Sequence, residues 1–399
     1  MGEAALHRRT LIGGAIGLGL TGCASVRSGP VASAATGNGL ARPLLTGSTF
    51  ARLITHPGRI SRITVCTRPF RRAGPRIEVE ALHDKRLVHN YGHGGAGWSL
   101  SWGSANLARD LALAGGIQDV AVIGCGALGL TAALQILRSG ARTTIYAAER
   151  TPYTRSARAT GTWSPASRIA DRDVMEPDFA DRWETMARSS WATHHTFVGL
   201  DGDPVRFIET YNLRADPARR RAVGPEPSPG DVNFMHFAGR LDDLGPDGRN
   251  LTKAEYPFLV ASARAFPNMT FNVAEYARQL TEAFLLEGGR IVSRVFHHPS
   301  ELAELSEPVI VNCTGYGARA LFGDDSVVPV RGQIGWLVPQ PDVTYALNYN
   351  AISMVPRHDG IVIQANGANE MVGYGIDNET PDRAETEAAL RELATLFPT

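Results

Sequence analysis

Asp119-Val120-Ala121-Val122-Ile123-Gly124-Cys125-Gly126-Ala127-Leu128-Gly129 is the stretch on which the fold turns. Its first five residues form a short β-branched apolar run, the pattern of a strand buried on both faces. A Gly-x-Gly-x-x-Gly turn follows at once. Ala127 to Ser139 then carries Leu130, Leu134 and Leu137 at helical spacing, and Gly140 ends the helix. Thr143–Tyr146 reads as the next strand, with Glu149 just beyond it. This is a dinucleotide-binding βαβ unit in its full context. Gly124 permits the tight turn, Gly126 lets the backbone approach a pyrophosphate, and Gly129 allows close helix–strand packing. The helix N-terminus, at Ala127 and Leu128, presents free amides and a positive dipole end to phosphates. Glu149 suits the ribose hydroxyls. The fingerprint alone does not separate FAD from NAD.

The rest of the composition is that of a globular protein. Of 399 residues, 43% are hydrophobic and 20% charged, with a formal net charge of zero. That length suits one large or two moderate domains, and the charge gives no argument for a nucleic-acid partner. The four cysteines, Cys23, Cys66, Cys125 and Cys313, are too few and too scattered for a disulfide framework. There is no CxxC or HExxH, so no metal is expected.

The first residues read as an address. His7-Arg8-Arg9-Thr10-Leu11-Ile12 resembles a twin-arginine export signal. The apolar run Leu11 to Leu20 is shorter than the roughly 20 residues a bilayer span needs. Leu20-Thr21-Gly22-Cys23 resembles a lipobox, which makes Cys23 the expected lipidation site. Ser, Gly and Ala between Ala24 and Leu40 suit a tether. The expected location is the outer face of a bacterial cell membrane or its periplasmic side. Membrane contact is expected only through the lipid.

Several segments together resemble the D-amino-acid oxidase family. His89-Asn90-Tyr91-Gly92-His93-Gly94-Gly95 resembles its HNYGHGG segment, Ala159-Thr160-Gly161-Thr162-Trp163-Ser164-Pro165 its AAGLWQP, and Val311-Asn312-Cys313-Thr314-Gly315 its VNCTG. Arg331-Gly332-Gln333 matches an RGQ, and Thr67-Arg68-Pro69-Phe70-Arg71 an FRPVR. The resemblance implies FAD as cofactor. It implies flavin contacts at Gly94, Gly95, Ala96, Gly97, Trp98 and Ser99, at Thr154, Arg155 and Ser156, and at Thr160, Gly161 and Thr162. Arg155 departs from the family's threonines. Trp98, Leu100 and Trp102 alternate, and a helical pattern follows from Ser104 to Ala114.

The resemblance also implies a substrate site. Arg68 would bind the amino acid's α-carboxylate; an arginine just before a proline is expected at a turn. The Gly95 carbonyl would accept from the amine. The family's Tyr-x-x-x-Tyr-x-x-Pro falls on Tyr349 to Pro356, so Tyr349 would screen the pocket and Ser353 replaces the tyrosine that donates to the carboxylate. Tyr345 or a water would have to compensate. Arg357 and His358 are alternatively turn residues or a site for an acidic side chain.

In the family the HNYGHGG segment closes the chain. Here it precedes the fingerprint, which implies a circularly permuted chain in which Arg62 to Ala114 has moved to the front, joined through Gly115-Gly116. The expected fold is α/β: a doubly wound, Rossmann-like FAD domain with an interleaved antiparallel-sheet substrate domain. Its expected segments are 1–23 signal, 24–60 tether and lead-in, 61–170 FAD-binding, 171–265 substrate domain, 266–325 FAD domain again, and 326–399 substrate domain and lid. The expected reaction is oxidation of a D-amino acid, with O2 as acceptor and H2O2 and ammonia as products. Glycine, N-methyl or acidic amino-acid oxidation, a dehydrogenase using a membrane carrier, and a non-catalytic flavin lipoprotein stay open.

Overall fold

The computed structural model describes residues 50–398. The twin-arginine and lipobox readings, Cys23 included, lie outside the described residues. Phe50 begins the described chain by packing edge-on against Tyr211, Phe258 and Tyr345.

Two sheets carry the fold. The six-stranded sheet runs in the order Val79–Leu82, Lys85–His89, Val309–Asn312, Asp119–Ile123, Arg142–Ala147 and Arg290–Ser293. All of its pairings are parallel except the first. Val311 lies between Val88 and Val122, so strands from the beginning and the end of the chain flank one another. The central strands Lys85–His89, Val309–Asn312 and Asp119–Ile123 are buried on both faces. Their core includes Val88, Val120, Val122, Leu130, Leu134, Val309 and Val311.

The eight-stranded sheet runs Ile60–Phe70, Val328–Leu337, Gly360–Ala365, Ile352–Arg357, Ala346–Tyr349, Val205–Arg214, Ser262–Phe271 and Arg249–Asn250. It is antiparallel except where Ala346–Tyr349 runs parallel to Val205–Arg214. The helix Arg383–Ala394 packs on one face, with Leu390 and Leu393 in a core shared with Leu347, Tyr349 and Ile363.

Two expectations need correction here. Ile60–Phe70 belongs to this sheet and not to the nucleotide sheet, because its ten-residue register is with Val328–Leu337. Arg68 therefore sits within a strand, opposite Val330, and not at a turn. Proline is accommodated at position 69 on an edge strand, where its missing N–H leaves no ladder bond unmade.

The Gly97–Leu113 helix begins seven residues before the periodicity suggests. Trp98, Leu100 and Trp102 look like strand alternation but are all buried, because the first half of this helix, Trp98 to Ala105, is enclosed on every side. It packs on Ala127–Arg138 and Phe179–His195. It ends at Gly115 and Gly116, whose φ values of 86° and 78° turn the chain directly into the Asp119 strand.

A buried hydrogen-bond chain locks this helix. The Trp102 indole N–H donates to Tyr276 Oη at 2.7 Å, and His194 Nδ1 lies 2.8 Å from the same oxygen. His194 Nε2 lies 3.1 Å from the Trp98 carbonyl. With Tyr276 donating to Nδ1 and Nε2–H donating to the carbonyl, every polar group in the chain is satisfied. His93 is also fully enclosed, with Nε2 2.8 Å from Ser104 Oγ. Burial pushes both imidazoles from 6.5 down to about 3.

Above about pH 6.5 these sites bind no proton in either the folded or the unfolded chain. Below it only the unfolded chain protonates, so each histidine lowers stability by about 1.4 kcal/mol per pH unit as pH falls toward 3. Denaturant titrations at a fixed FAD concentration check this. Between about pH 6 and 5, the His194→Gln variant should lose stability with a slope about 1.4 kcal/mol per pH unit shallower than wild type. Equal slopes would show that His194 protonates in the folded protein.

Candidate functional site

A cavity of about 640 Å³ opens where the two sheets meet. From the nucleotide side it is lined by Gly124, Gly126, Ala127, Leu128, Glu149, Thr154, Arg155 and Ser156. From the eight-stranded sheet come Arg68, Gly332, Ile334, Ser353 and Gln364. Gly94, Gly95, Gly97, Trp98, Ser99, Thr160, Gly161 and Thr162 also border it. Most of the site residues singled out in the sequence therefore lie on this wall.

The Gly-rich turn is shaped by close backbone approach. Gly124 has φ 104°, and a Cβ there would stand 2.6 Å from the Cys313 carbonyl oxygen. A Cβ on Gly129 would overlap the Gly124 carbonyl, so Gly129 is a packing residue behind the cavity. One amide is already used: Ala127 N–H donates to Ser156 Oγ at 3.0 Å. Ser156 thus takes the first helix donor itself, a correction to the expectation that Ala127 offers a free amide.

The glycine segment also differs from expectation. Gly94 N–H donates to the Pro69 carbonyl, Gly95 N–H to Ser167, and Ala96 N–H to His93. Those three amides are spent within the protein. Ala96 is wholly buried in the core beside Leu100 and Trp183 and does not line the cavity. Within Gly94 to Ser99, the amides without an acceptor among the described residues are those of Gly97, Trp98 and Ser99. They form the first turn of the helix, so the dipole's positive end is what faces the cavity here. Trp98 ties this turn to the phosphate segment by donating to the Ser156 carbonyl at 2.9 Å. Ser99 Oγ accepts from Ser164 N–H at 2.9 Å.

Arg68 and Ser353 both border the cavity, whereas Tyr349 does not. Tyr349 is buried against the C-terminal helix, and burial raises its pKa. Strand alternation explains this: Tyr349 and Ser353 lie on different strands and their side chains leave opposite faces of one sheet. Ser353 is internally satisfied, accepting from Asn366 Nδ2 at 3.0 Å and lying 2.9 Å from Asn348 Oδ1. Its one proton goes to Asn348. Tyr345 cannot compensate, since its hydroxyl donates to the Ala51 carbonyl at 2.9 Å. Arg357 pairs with Asp359 and donates to the Ala159 carbonyl, while His358 faces Asp203. Neither reaches the cavity.

Sequence reasoning missed Glu379 and Arg168. Glu379 accepts from Thr67 Oγ1 at 3.0 Å, Arg155 Nε at 2.9 Å and Arg158 Nη1 at 2.8 Å. These cations hold its carboxyl below the usual range, although burial opposes them. Arg155 therefore borders the cavity as an already neutralised charge. No local motif marks Glu379, because its partners are more than 200 residues away in sequence.

Residues 119–399 match the family described as DAO, FAD dependent oxidoreductase. The chain belongs to this family. It is 27% identical over 286 residues to a D-amino-acid oxidase of Dictyostelium discoideum, covering 70% of this chain and 73% of that protein. It is 28% identical over 290 residues to a D-amino-acid oxidase of Rubrobacter xylanophilus, covering 71% and 78%. It is also similar to the solved structure of a glycine oxidase from Bacillus cereus, with TM-score 0.46 and 14% identity over 70% of this chain and 78% of that one. This DAO-family protein is an FAD-dependent oxidoreductase of the amino-acid oxidase kind.

The residues present fit FAD. Two buried polar atoms without a protein partner, Thr154 Oγ1 and His93 Nδ1, belong to residues that border the cavity. Buried orphans of this kind call for a polar ligand. The crowded Gly124 turn and the free amides of Gly97 to Ser99 suit phosphate and ring-carbonyl oxygens.

Gly332 lies directly beneath Arg68, and a Cβ there would overlap the guanidinium. Gly332→Ala should push Arg68 aside and leave the sheet intact. A displacement of about 1 Å at a positioning group lowers kcat/KM on the order of 100-fold. Steady-state kinetics on the FAD-loaded variant test this, and an unchanged kcat/KM would show that Arg68 does not touch substrate.

Proposed function

We propose that this protein oxidises a D-amino acid to its imino acid, with O2 as electron acceptor. The observation that carries this reading is Arg68. It reaches the cavity beside Gly94 and Gly95, and its only acceptor among the described residues is the Arg331 carbonyl at 3.2 Å. Bound FAD would take a hydride equivalent from Cα and pass the two electrons to O2 as H2O2, leaving an imine that water hydrolyses to the 2-oxo acid and ammonia.

The chain's own residues orient and balance charge. Arg68 offers paired N–H donors to the α-carboxylate. The Gly95 carbonyl has no protein donor among the described residues and is available to the substrate amine. The first turn of the Gly97–Leu113 helix lines the cavity, and its dipole would stabilise negative charge on the ring carbonyls of a bound flavin. No side-chain base is required if the amine binds neutral. His93 and His194 are held neutral by burial and are not charged at working pH.

We infer further that the chain is circularly permuted, with 61–114 preceding the fingerprint. Two findings support this: the family match begins at residue 119, and the Lys85–His89 strand lies beside Val309–Asn312. The proposed organisation alternates FAD-binding and substrate-binding segments along the chain. Export by the twin-arginine route and lipidation at Cys23 rest on residues 7–23 alone. Metabolic labelling with a fatty-acid probe checks the anchor; Cys23→Ser should abolish label, and a labelled variant would exclude that site.

A peroxide-coupled screen of D- and L-amino acids with FAD-loaded protein tests the activity. Arg68→Ala should lower kcat/KM by about 100-fold or more, as expected for losing one partner of a buried charge pair, with FAD retained. Unchanged kinetics would remove Arg68 from the site. Turnover with artificial dyes but none with O2 would overturn the acceptor assignment.

A further inference from the structure

Five arginines border the cavity: Arg68, Arg155, Arg158, Arg168 and Arg294. Three have acidic partners. Arg155 and Arg158 share Glu379, and Arg294 faces Glu304 at 3.3 Å. Arg68 and Arg168 form no ion pair among the described residues. Arg168 is the more enclosed of the two, with 9% of its surface exposed. Its Nε donates to the Glu370 carbonyl at 2.9 Å, and its two terminal nitrogens have no protein acceptor among the described residues. The Glu370 carboxylate lies 3.4 Å from His236.

The placement of Arg168 is built into the backbone. Its φ is 48°, the left-handed region that an arginine rarely occupies. Its carbonyl presses on Gly94 so closely that a Cβ on Gly94 would overlap it. Gly95 N–H donates to the neighbouring Ser167 carbonyl at 2.9 Å. The loop that carries Arg168 is thus clamped to the same glycines that face the substrate. A strained residue held by its surroundings at a cavity is a sign of function.

Charge balance identifies the ligand. A substrate with one carboxylate would neutralise one guanidinium and leave the other enclosed without an anion, which is costly. Burial, with the Arg68 charge beside it, pushes Arg168 down to about 10, and Glu370 offsets this only in part. The Ser353 hydroxyl, already donated to Asn348, adds no donor for a carboxylate.

We propose that the substrate is a D-amino acid with a carboxylate in its side chain, the α-carboxylate on Arg68 and the side-chain carboxylate on Arg168. This rests on the oxidase reading above, and the bond changes are those given there. Arg168 is a specificity-determining residue at that site.

The test compares D-aspartate and D-glutamate with D-alanine by anaerobic bleaching of the flavin, which needs no acceptor. Wild type should favour the acidic substrates. Arg168→Gln should lower the ratio of the flavin-reduction efficiency (limiting reduction rate over Kd) for D-aspartate over D-alanine by about 100-fold, the scale of removing one partner of a buried charge pair. Arg168→Lys should recover part of it. An unchanged ratio, with both substrates impaired alike, would overturn the proposal. Binding separates this from failure of the oxidase reading. Succinate should perturb the flavin spectrum more tightly than acetate in wild type and lose that advantage in Arg168→Gln. If no amino acid bleaches the flavin while succinate still depends on Arg168, the oxidase reading falls and the two-carboxylate site stands. Succinate binding indifferent to Arg168→Gln would overturn the site itself.

Discussion

The helix Gly97–Leu113 is held by buried hydrogen bonds that run from Trp102 through Tyr276 and His194 to the carbonyl of Trp98. What faces the cavity follows from that anchoring. The helix's first turn supplies the unpaired amides of Gly97, Trp98 and Ser99, and the Trp98 indole reaches across to the Ser156 carbonyl. Three helices meet at this chain of donors and acceptors: Gly97–Leu113, Phe179–His195 and Val273–Leu286. Each contributes a side chain that would be an uncompensated polar group if another moved. The network therefore fixes direction as much as it adds stability.

Charge is arranged around the cavity with similar economy. Glu379 gathers Arg155 and Arg158 and ties the strand at Thr67 to the segment after Thr154. Arg357 is spent on Asp359 and on the Ala159 carbonyl. Arg68 and Arg168 alone among the cavity arginines keep free guanidinium faces. Both line the same cavity as Gly94 and Gly95, the shared wall on which the proposed recognition of two carboxylates depends. The enclosed setting is what gives a free arginine meaning here, since an exposed one would be satisfied by water.

Much of this was legible beforehand. The Asp119–Ile123 strand, the glycine turn and the Ala127–Arg138 helix follow from local periodicity, which chain geometry dictates. Arg68 and Gly95 were legible through motif resemblance, and both border the cavity. The failures share a cause. Trp98, Leu100 and Trp102 misled because an enclosed helix has no polar face to reveal its period. Tyr349 misled because its strand's facing depends on pairing with Val205–Arg214, where Tyr349 lies opposite Leu213. Glu379 and Arg168 carry no pattern in their own neighbourhoods.

By itself the sequence determined the dinucleotide unit, the family-like segments and their unusual order, because these depend on contacts within a few residues or on short motifs. Tertiary structure alone decided which groups are free to act. It spent the amides of Gly94, Gly95 and Ala96 on neighbouring carbonyls, turned Tyr349 away, and left Arg168 without an acid. The reason is physical. A residue's type sets what it can donate or accept, but whether that capacity remains available depends on partners brought together only by folding.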